Sequence, residues 1–179
     1  MKKVLLTSMA LAMLLSSCTS ACDKPTNVIY LIGDGMGFGA VTSLLLTAEE
    51  QTGFEMAPVI GLCETGSANN YVTDSPAGGT ALATGTRTCN GFMGVCPDSV
   101  QLTSILKKAQ KMGKKTGIVV NTTLTEATPG AFYAGVTDRD ETFTIAQQFT
   151  ESNVDIAIGA GFNDFINRPD SVDLTAVLI

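Results

Sequence analysis

Histidine is absent from all 179 residues, and that one absence removes whole classes of chemistry. A Ser-His-Asp triad cannot be assembled without an imidazole to take the serine proton, and no zinc knuckle can be drawn from the cysteine spacing either. Tryptophan is missing too, and aromatic residues make up only 6% of the chain, against 18 glycines and 6 prolines. That balance speaks for many tight turns rather than for a collagenous or low-complexity chain. Basic residues are scarce: 11 Lys and Arg face 17 Asp and Glu, for a net charge of −6, so the chain should repel nucleic acid. An acidic protein can still take a phosphate ester where a metal ion or a placed arginine reverses the local field. There is no internal repeat. What is present is enough apolar material for one globular core, with 45% hydrophobic and 16% charged residues.

The longest greasy run, residues 4–15, is too short to span a bilayer comfortably. Lys2 and Lys3 precede it and Leu15-Ser16-Ser17-Cys18 follows, which is the order of an export signal. The last four residues resemble a bacterial lipobox. The reading is a lipoprotein-type signal over 1–17, lipid on Cys18, a tether over 18–26 and a folded domain over 27–179. Removing the leader takes away two lysines and no acid, leaving the mature chain more acidic still. Location is then outside the cytoplasm, periplasmic or at the cell envelope, with membrane contact only through the lipid. An oxidising compartment permits a disulfide; Cys89 and Cys96 are the easiest pair to draw, and two free thiols are an equal reading.

Residues 28–32 (VIYLI) form a short β-branched run ended by glycine, the pattern of a strand buried on both faces. Residues 57–64 suggest a second strand. Residues 75–84 read as a helix with Ser75 at the N-cap and Pro76 in the first turn. Asp98 with Gln101 suggests a capping box for a helix ending near Met112, with Gly113 as its left-handed stop; Leu102, Ile105, Leu106 and Ala109 share its apolar face. Strands are expected at 116–121 and 154–158, with a helix at 142–152 between them. Alternating strands and helices predict an α/β fold, a doubly wound, mostly parallel sheet flanked by helices. Ligands bind beyond the carboxyl ends of such strands, which puts Asp34 on the functional edge.

Two stretches carry chemistry. Gly35, Gly37 and Ala40 satisfy a loose dinucleotide-binding pattern, but Asp34 puts a carboxylate where a pyrophosphate would need bare amides. A divalent metal would accept Asp34; a helix cap is the plainer use of it. In Asp74-Ser75-Pro76-Ala77-Gly78-Gly79-Thr80-Ala81, a serine before proline is an ordinary cap. The positive end of a helix would also stabilise a serine alkoxide and the phosphoryl oxygens around it. With no histidine, metal coordination is the obvious way to activate Ser75.

Together, residues 27–37 (NVIYLIGDGMG), 74–85 (DSPAGGTALATG), 86–91 (TRTCNG), 126–129 (EATP) and 137–140 (TDRD) resemble the alkaline phosphatase family, in the family's order. Residues 154–165 (VDIAIGAGFNDF) look like its next strand and glycine turn. The resemblance implies that Ser75 attacks phosphorus and becomes phosphoserine, and that Asp34 bridges a zinc and the neighbouring magnesium site. It implies that Thr128 and Glu126 belong to the magnesium site, that Arg139 clamps two phosphate oxygens, and that Asp74 orients Arg139. Zinc and magnesium are the expected cofactors, a small phosphate monoester the expected substrate, and a homodimer is allowed in the full-length enzyme.

Glu126 departs from better-known members, which carry aspartate or histidine there. The family's further histidines and acids, which complete both zinc sites, have no counterpart here, so the expectation is an incomplete fold with little activity of its own. Other readings are a sulfatase or phosphodiesterase of the same superfamily, a nucleotide-binding module on residues 35–40, or a non-enzymatic surface lipoprotein. Gly78-Gly79-Thr80-Ala81 after the serine argues for the monoesterase.

Overall fold

The computed structural model describes residues 26–178. The expected leader, the Cys18 lipid site and the tether up to residue 25 lie outside the described residues. These residues divide into two units between Gly33 and Asp34.

Ahead of that division, residues 27–33 carry no strand, and Val28, Ile29 and Leu31 are 81–87% exposed. Residues 57–64, in the second unit, are likewise without a strand, with Val59, Ile60 and Leu62 exposed. Both expected strands are thus corrected. A β-branched run becomes a doubly buried strand only where flanking strands and covering layers are supplied. Apolar periodicity records that a segment suits burial, not that its partners are present.

In the second unit, α1 (Phe38–Thr47) starts at an N-cap of Gly37 rather than Asp34 and buries no residue. Helix α2 (Ser75–Thr84) has the expected bounds, but Asp74 is its N-cap, Ser75 its first residue, and Gly85 closes it with φ +76°. Helix α3 (Ile105–Lys111) is capped by Ser104, whose Oγ accepts from the Lys107 amide at 3.2 Å. The expected Asp98–Gln101 box does not form, because the backbone of Gln101 bridges back to Val95. Gly113 does take the left-handed conformation that follows α3, at φ +73°.

Strand β1 (Gly117–Thr123) pairs in parallel with β2 (Ile156–Ala160), Gly117 opposite Ile156 and Val119 opposite Ile158, with an irregularity before Thr123 meets Ala160. Between them lie the single turn α4 (Ala127–Gly130) and α5 (Thr142–Thr150). After β2, Gly161 at φ +98° turns the chain into α6 (Phe162–Ile166), and a 3-10 turn follows at Leu174–Val177. The expected α/β class with a parallel sheet and helices is what forms.

The core gathers Met93, Leu106, Ile118, Tyr133, Ile145, Phe149, Phe165 and Leu174. Tyr133 meets Phe149 edge-on at 5.1 Å between ring centroids, and Phe149 meets Phe165 likewise at 5.9 Å; such pairs add ~0.5–1.5 kcal/mol beyond the area they bury. Cys63, Cys89 and Cys96 are free thiols. Among the described residues no helix is long and apolar enough to cross a membrane.

Candidate active site

Asp74 sits where an extended chain enters α2, and both of its carboxylate oxygens are engaged. Oδ1 accepts from the Ala77 amide at 3.0 Å, which caps the helix, and Oδ2 accepts from the Gly91 amide at 2.6 Å, which ties in the loop after the helix. Ser75 therefore starts α2 on a fixed backbone. The Ala77 and Gly78 amides bond to the Asp74 side chain and carbonyl, and Pro76 has no N–H. Among the described residues the Ser75 N–H thus has no acceptor and is left open at the positive end of the helix. Its hydroxyl makes no hydrogen bond among the described residues.

The glycines and threonine after Ser75 have physical work of their own. A Cβ on Gly79 would stand 3.2 Å from the Ala131 Cβ and 3.3 Å from the Thr128 Cα, so bare Gly79 lets α2 lie against α4. Thr80, fully buried, accepts from the Gly94 amide at 2.8 Å. Contact between α2 and α4 brings the Ser75 helix and the Thr128 turn into one unit of structure.

Thr128 donates from Oγ1 to Asp34 Oδ2 at 2.8 Å across 94 positions of sequence. Glu126 is the N-cap of α4, its Oε1 accepting from the Ala127 amide at 3.1 Å. The same oxygen accepts from Arg139 Nη2, with both side chains about one-third exposed at 35%. Thus the structure joins Asp34 to Thr128 and Glu126 to Arg139. It does not join Asp74 to Arg139, the pairing the sequence resemblance implied: two backbone amides occupy Asp74, and the longer Glu126 reaches the guanidinium instead.

Three residues to which the sequence reading gave no role hold this loop. Thr125, 1% exposed, donates to Asp164 Oδ2 and lies within hydrogen-bonding range of Thr123. The Tyr133 hydroxyl donates to the Leu124 carbonyl at 2.7 Å. Burial, with a smaller contribution from the Asp164 charge, pushes the Tyr133 hydroxyl well above its ordinary range and keeps it a donor. The Asp164 carbonyl in turn accepts weakly from Arg168, which also donates to the Phe143 carbonyl at 2.7 Å. Only the aspartate after a glycine turn was visible in sequence, and nothing in its spacing names a threonine 39 positions earlier as its partner.

The donor set can be tested against the implied metals. Asp34, Thr128 and Glu126 offer oxygen alone, which suits a hard cation such as magnesium that keeps several waters. Zinc is not accommodated by these residues: among the described residues no group of three or more His, Cys, Asp or Glu side chains is placed to hold a metal.

The alkaline phosphatase family model matches residues 25–173. The alkaline phosphatase of Schizosaccharomyces pombe is 32% identical over 170 residues, covering 85% of this chain and 32% of the yeast protein. That of Escherichia coli K12 is 40% identical over 131 residues, covering 67% of this chain and 28% of its own. The solved alkaline phosphatase of the Antarctic bacterium TAB5 superposes with a TM-score of 0.78 at 37% identity, over 81% of this chain and 42% of that one. A histidine-to-glutamate variant of the TAB5 enzyme, at the same TM-score of 0.78, has magnesium bound in its M3 site. The fold and the matched sequence define a phosphatase-type α/β domain. The chain belongs to the alkaline phosphatase family, and it spans about a third of the length of these two curated relatives, 32% and 28%.

Proposed function

We propose that this chain supplies the nucleophile and the phosphate clamp of an exported phosphomonoester hydrolase, with Ser75 as the phosphoryl acceptor. The observation that carries the reading is the seat of Ser75: first residue of a ten-residue helix, with Asp74 pinning the backbone on one side and Gly79 packing the helix on the Thr128 turn.

The Ser75 Oγ attacks phosphorus, the P–O bond to the leaving alcohol breaks, and a phosphoserine results. Water then attacks the same phosphorus and returns the serine with inorganic phosphate. The positive end of α2 and the open Ser75 N–H stabilise charge on the oxygen that reacts and on the phosphoryl group. Arg139 takes two phosphate oxygens in its planar fork. Asp34, Thr128 and Glu126 would hold magnesium, which when bound supplies positive charge beside the phosphate. No step is drawn through zinc, because these residues do not make a zinc site. Lipid attachment at Cys18 and a periplasmic or envelope location belong to the same reading and rest on the leader pattern.

The test compares p-nitrophenyl phosphate hydrolysis, with zinc and magnesium supplied, by the 179-residue chain and by a chimera joining it to the part of the Escherichia coli relative beyond its match. The chain alone should turn over little. The chimera should be active and lose at least ~10³-fold with Ser75→Ala. Full activity in the Ser75→Ala chimera would remove Ser75 as the acceptor.

A further inference from the structure

Five of the chain's 11 basic residues, Lys107, Lys108, Lys111, Lys114 and Lys115, fall within residues 107–115 of a chain whose net charge is −6. The fold uses them differently. Lys115 pairs with Asp155, and Lys108 is exposed. Lys107 and Lys111, one turn apart on α3, line a cleft of about 770 Å³ whose far wall is Gln148 of α5 and residues 151–153. Neither lysine has an ion-pair partner among the described residues. The cleft's one acid, Glu151, accepts from the Gln147 side chain at 3.3 Å instead. Lys107 is half-buried, and burial first, then the Lys111 charge, hold its ammonium below the ordinary lysine range. Two like charges one turn apart repel, and a partly desolvated one without a bonded counter-charge is costly. An anion in the cleft would relieve both.

The rest of the wall is mostly neutral and polar, which does not suit an apolar ligand. The Gln101 and Thr103 side chains make no hydrogen bond among the described residues. Gln148 is fixed at the back, donating to the Gly135 carbonyl and accepting from its amide. Free amide and hydroxyl groups of this kind pair with the hydroxyls of a ligand, and the cleft offers far more room than a bare inorganic ion fills. We propose that this cleft is a binding site for a sugar phosphate, with the phosphate on Lys107 and Lys111 and the sugar hydroxyls on Gln101 and Thr103. None of these residues belongs to α2, to α4 or to the Asp34 and Arg139 positions, so the inference does not depend on Ser75 as the phosphoryl acceptor.

The experiment is an amide NMR titration of the full isotope-labelled chain carrying Ser75→Ala, so that nothing is hydrolysed, with glucose 6-phosphate, glucose and inorganic phosphate in turn. Glucose 6-phosphate should shift the amides of Thr103, Lys107 and Lys111. Glucose and inorganic phosphate, each lacking half of the contacts, should bind there at least about tenfold more weakly. Lys107→Gln should weaken glucose 6-phosphate about tenfold, the factor expected for losing a charge-assisted bond. Lys111→Gln, at an exposed position, should weaken it about threefold. Lys108→Gln removes the same charge from the same helix outside the cleft and should change affinity less than about twofold. Unmoved cleft amides, or inorganic phosphate bound as tightly as glucose 6-phosphate, overturn the site. So does an equal loss from Lys108→Gln and Lys107→Gln, which would reveal only a basic surface. Where Lys107→Gln disturbs the spectrum beyond the cleft, Lys111→Gln decides alone, and unchanged affinity there overturns the proposal.

Discussion

At the scale of single residues, Asp74 carries more of the site than the serine beside it. It caps α2 through Ala77 and fastens Gly91, so Asp74→Ala leaves two amides without their acceptor. A loss of about 1–3 kcal/mol is expected, read as a lowered urea midpoint. Gly94 is a second fixed point. A Cβ there would lie 1.9 Å from the Ala134 carbonyl oxygen, and its φ of +66° already disfavours a side chain. Gly94→Ala should cost more than about 3 kcal/mol or prevent folding. Gly85 also has a positive φ, +76°, but nothing lies within 4 Å of the Cβ position; Gly85→Ala should cost only about 1 kcal/mol. Equal losses in the two variants would contradict the packing seen around Gly94.

Residue patterns read in isolation singled out Ser75 and Asp34, each with a plainer reading as a cap; Thr128 and Arg139 came only from the family resemblance, and the structure brings Asp34 to Thr128. The patterns misassigned the cap of α2, since serine and aspartate are both good caps and stand side by side. The resemblance paired Arg139 with Asp74, whereas in the structure Glu126 is the carboxylate bonded to it, because which carboxylate reaches a guanidinium depends on the amides competing for each candidate.

At the scale of elements, α2, β1, α5 and β2 were legible because each has its own period or its own punctuation. The strands expected at 28–32 and 57–64 were not, because a strand is completed by its neighbours rather than by its sequence. Where β1 and β2 begin, Asp155 accepts from Lys115 Nζ at 2.6 Å and from the Thr116 amide at 2.9 Å. The Lys115 bond first, and the Thr116 amide second, hold the Asp155 carboxyl below its ordinary range; the bond to Asp155 raises Lys115 above its own. A lowered carboxyl stabilises the fold above the ordinary carboxyl range, and that contribution fades as pH falls through the folded value. The raised lysine contributes below the ordinary lysine range and loses its contribution as pH rises through its folded value. Asp155→Asn should therefore be less stable than wild type at neutral pH and converge with it in acid. A stability difference that grows below the carboxyl range would contradict this. The loop before α4 has its own anchor in Thr125 and Asp164. Asp164→Asn should speed amide exchange across residues 124–128 while leaving α2 protected.

At the scale of the molecule, the proposed function sets a net charge of −6 against an anionic substrate. On that proposal the charge would be overcome locally, by Arg139, the positive end of α2 and a cation on oxygen ligands, rather than by a basic surface. Val59, Ile60 and Leu62 are each more than 80% exposed, so the purified chain should bind a hydrophobic dye such as ANS strongly. That binding should fall in the chimera with the longer relative if those residues become covered there.

The central claim is that Ser75 and Arg139 receive the phosphate. The most direct measurement is the amide spectrum of the isotope-labelled chain during titration with inorganic phosphate in the presence of magnesium. Ser75, Thr128 and Arg139 are predicted to shift most, and together. Shifts confined to Gly35, Gly37 and Ala40, with Ser75 and Arg139 unmoved, would contradict the claim and favour a nucleotide-type loop instead.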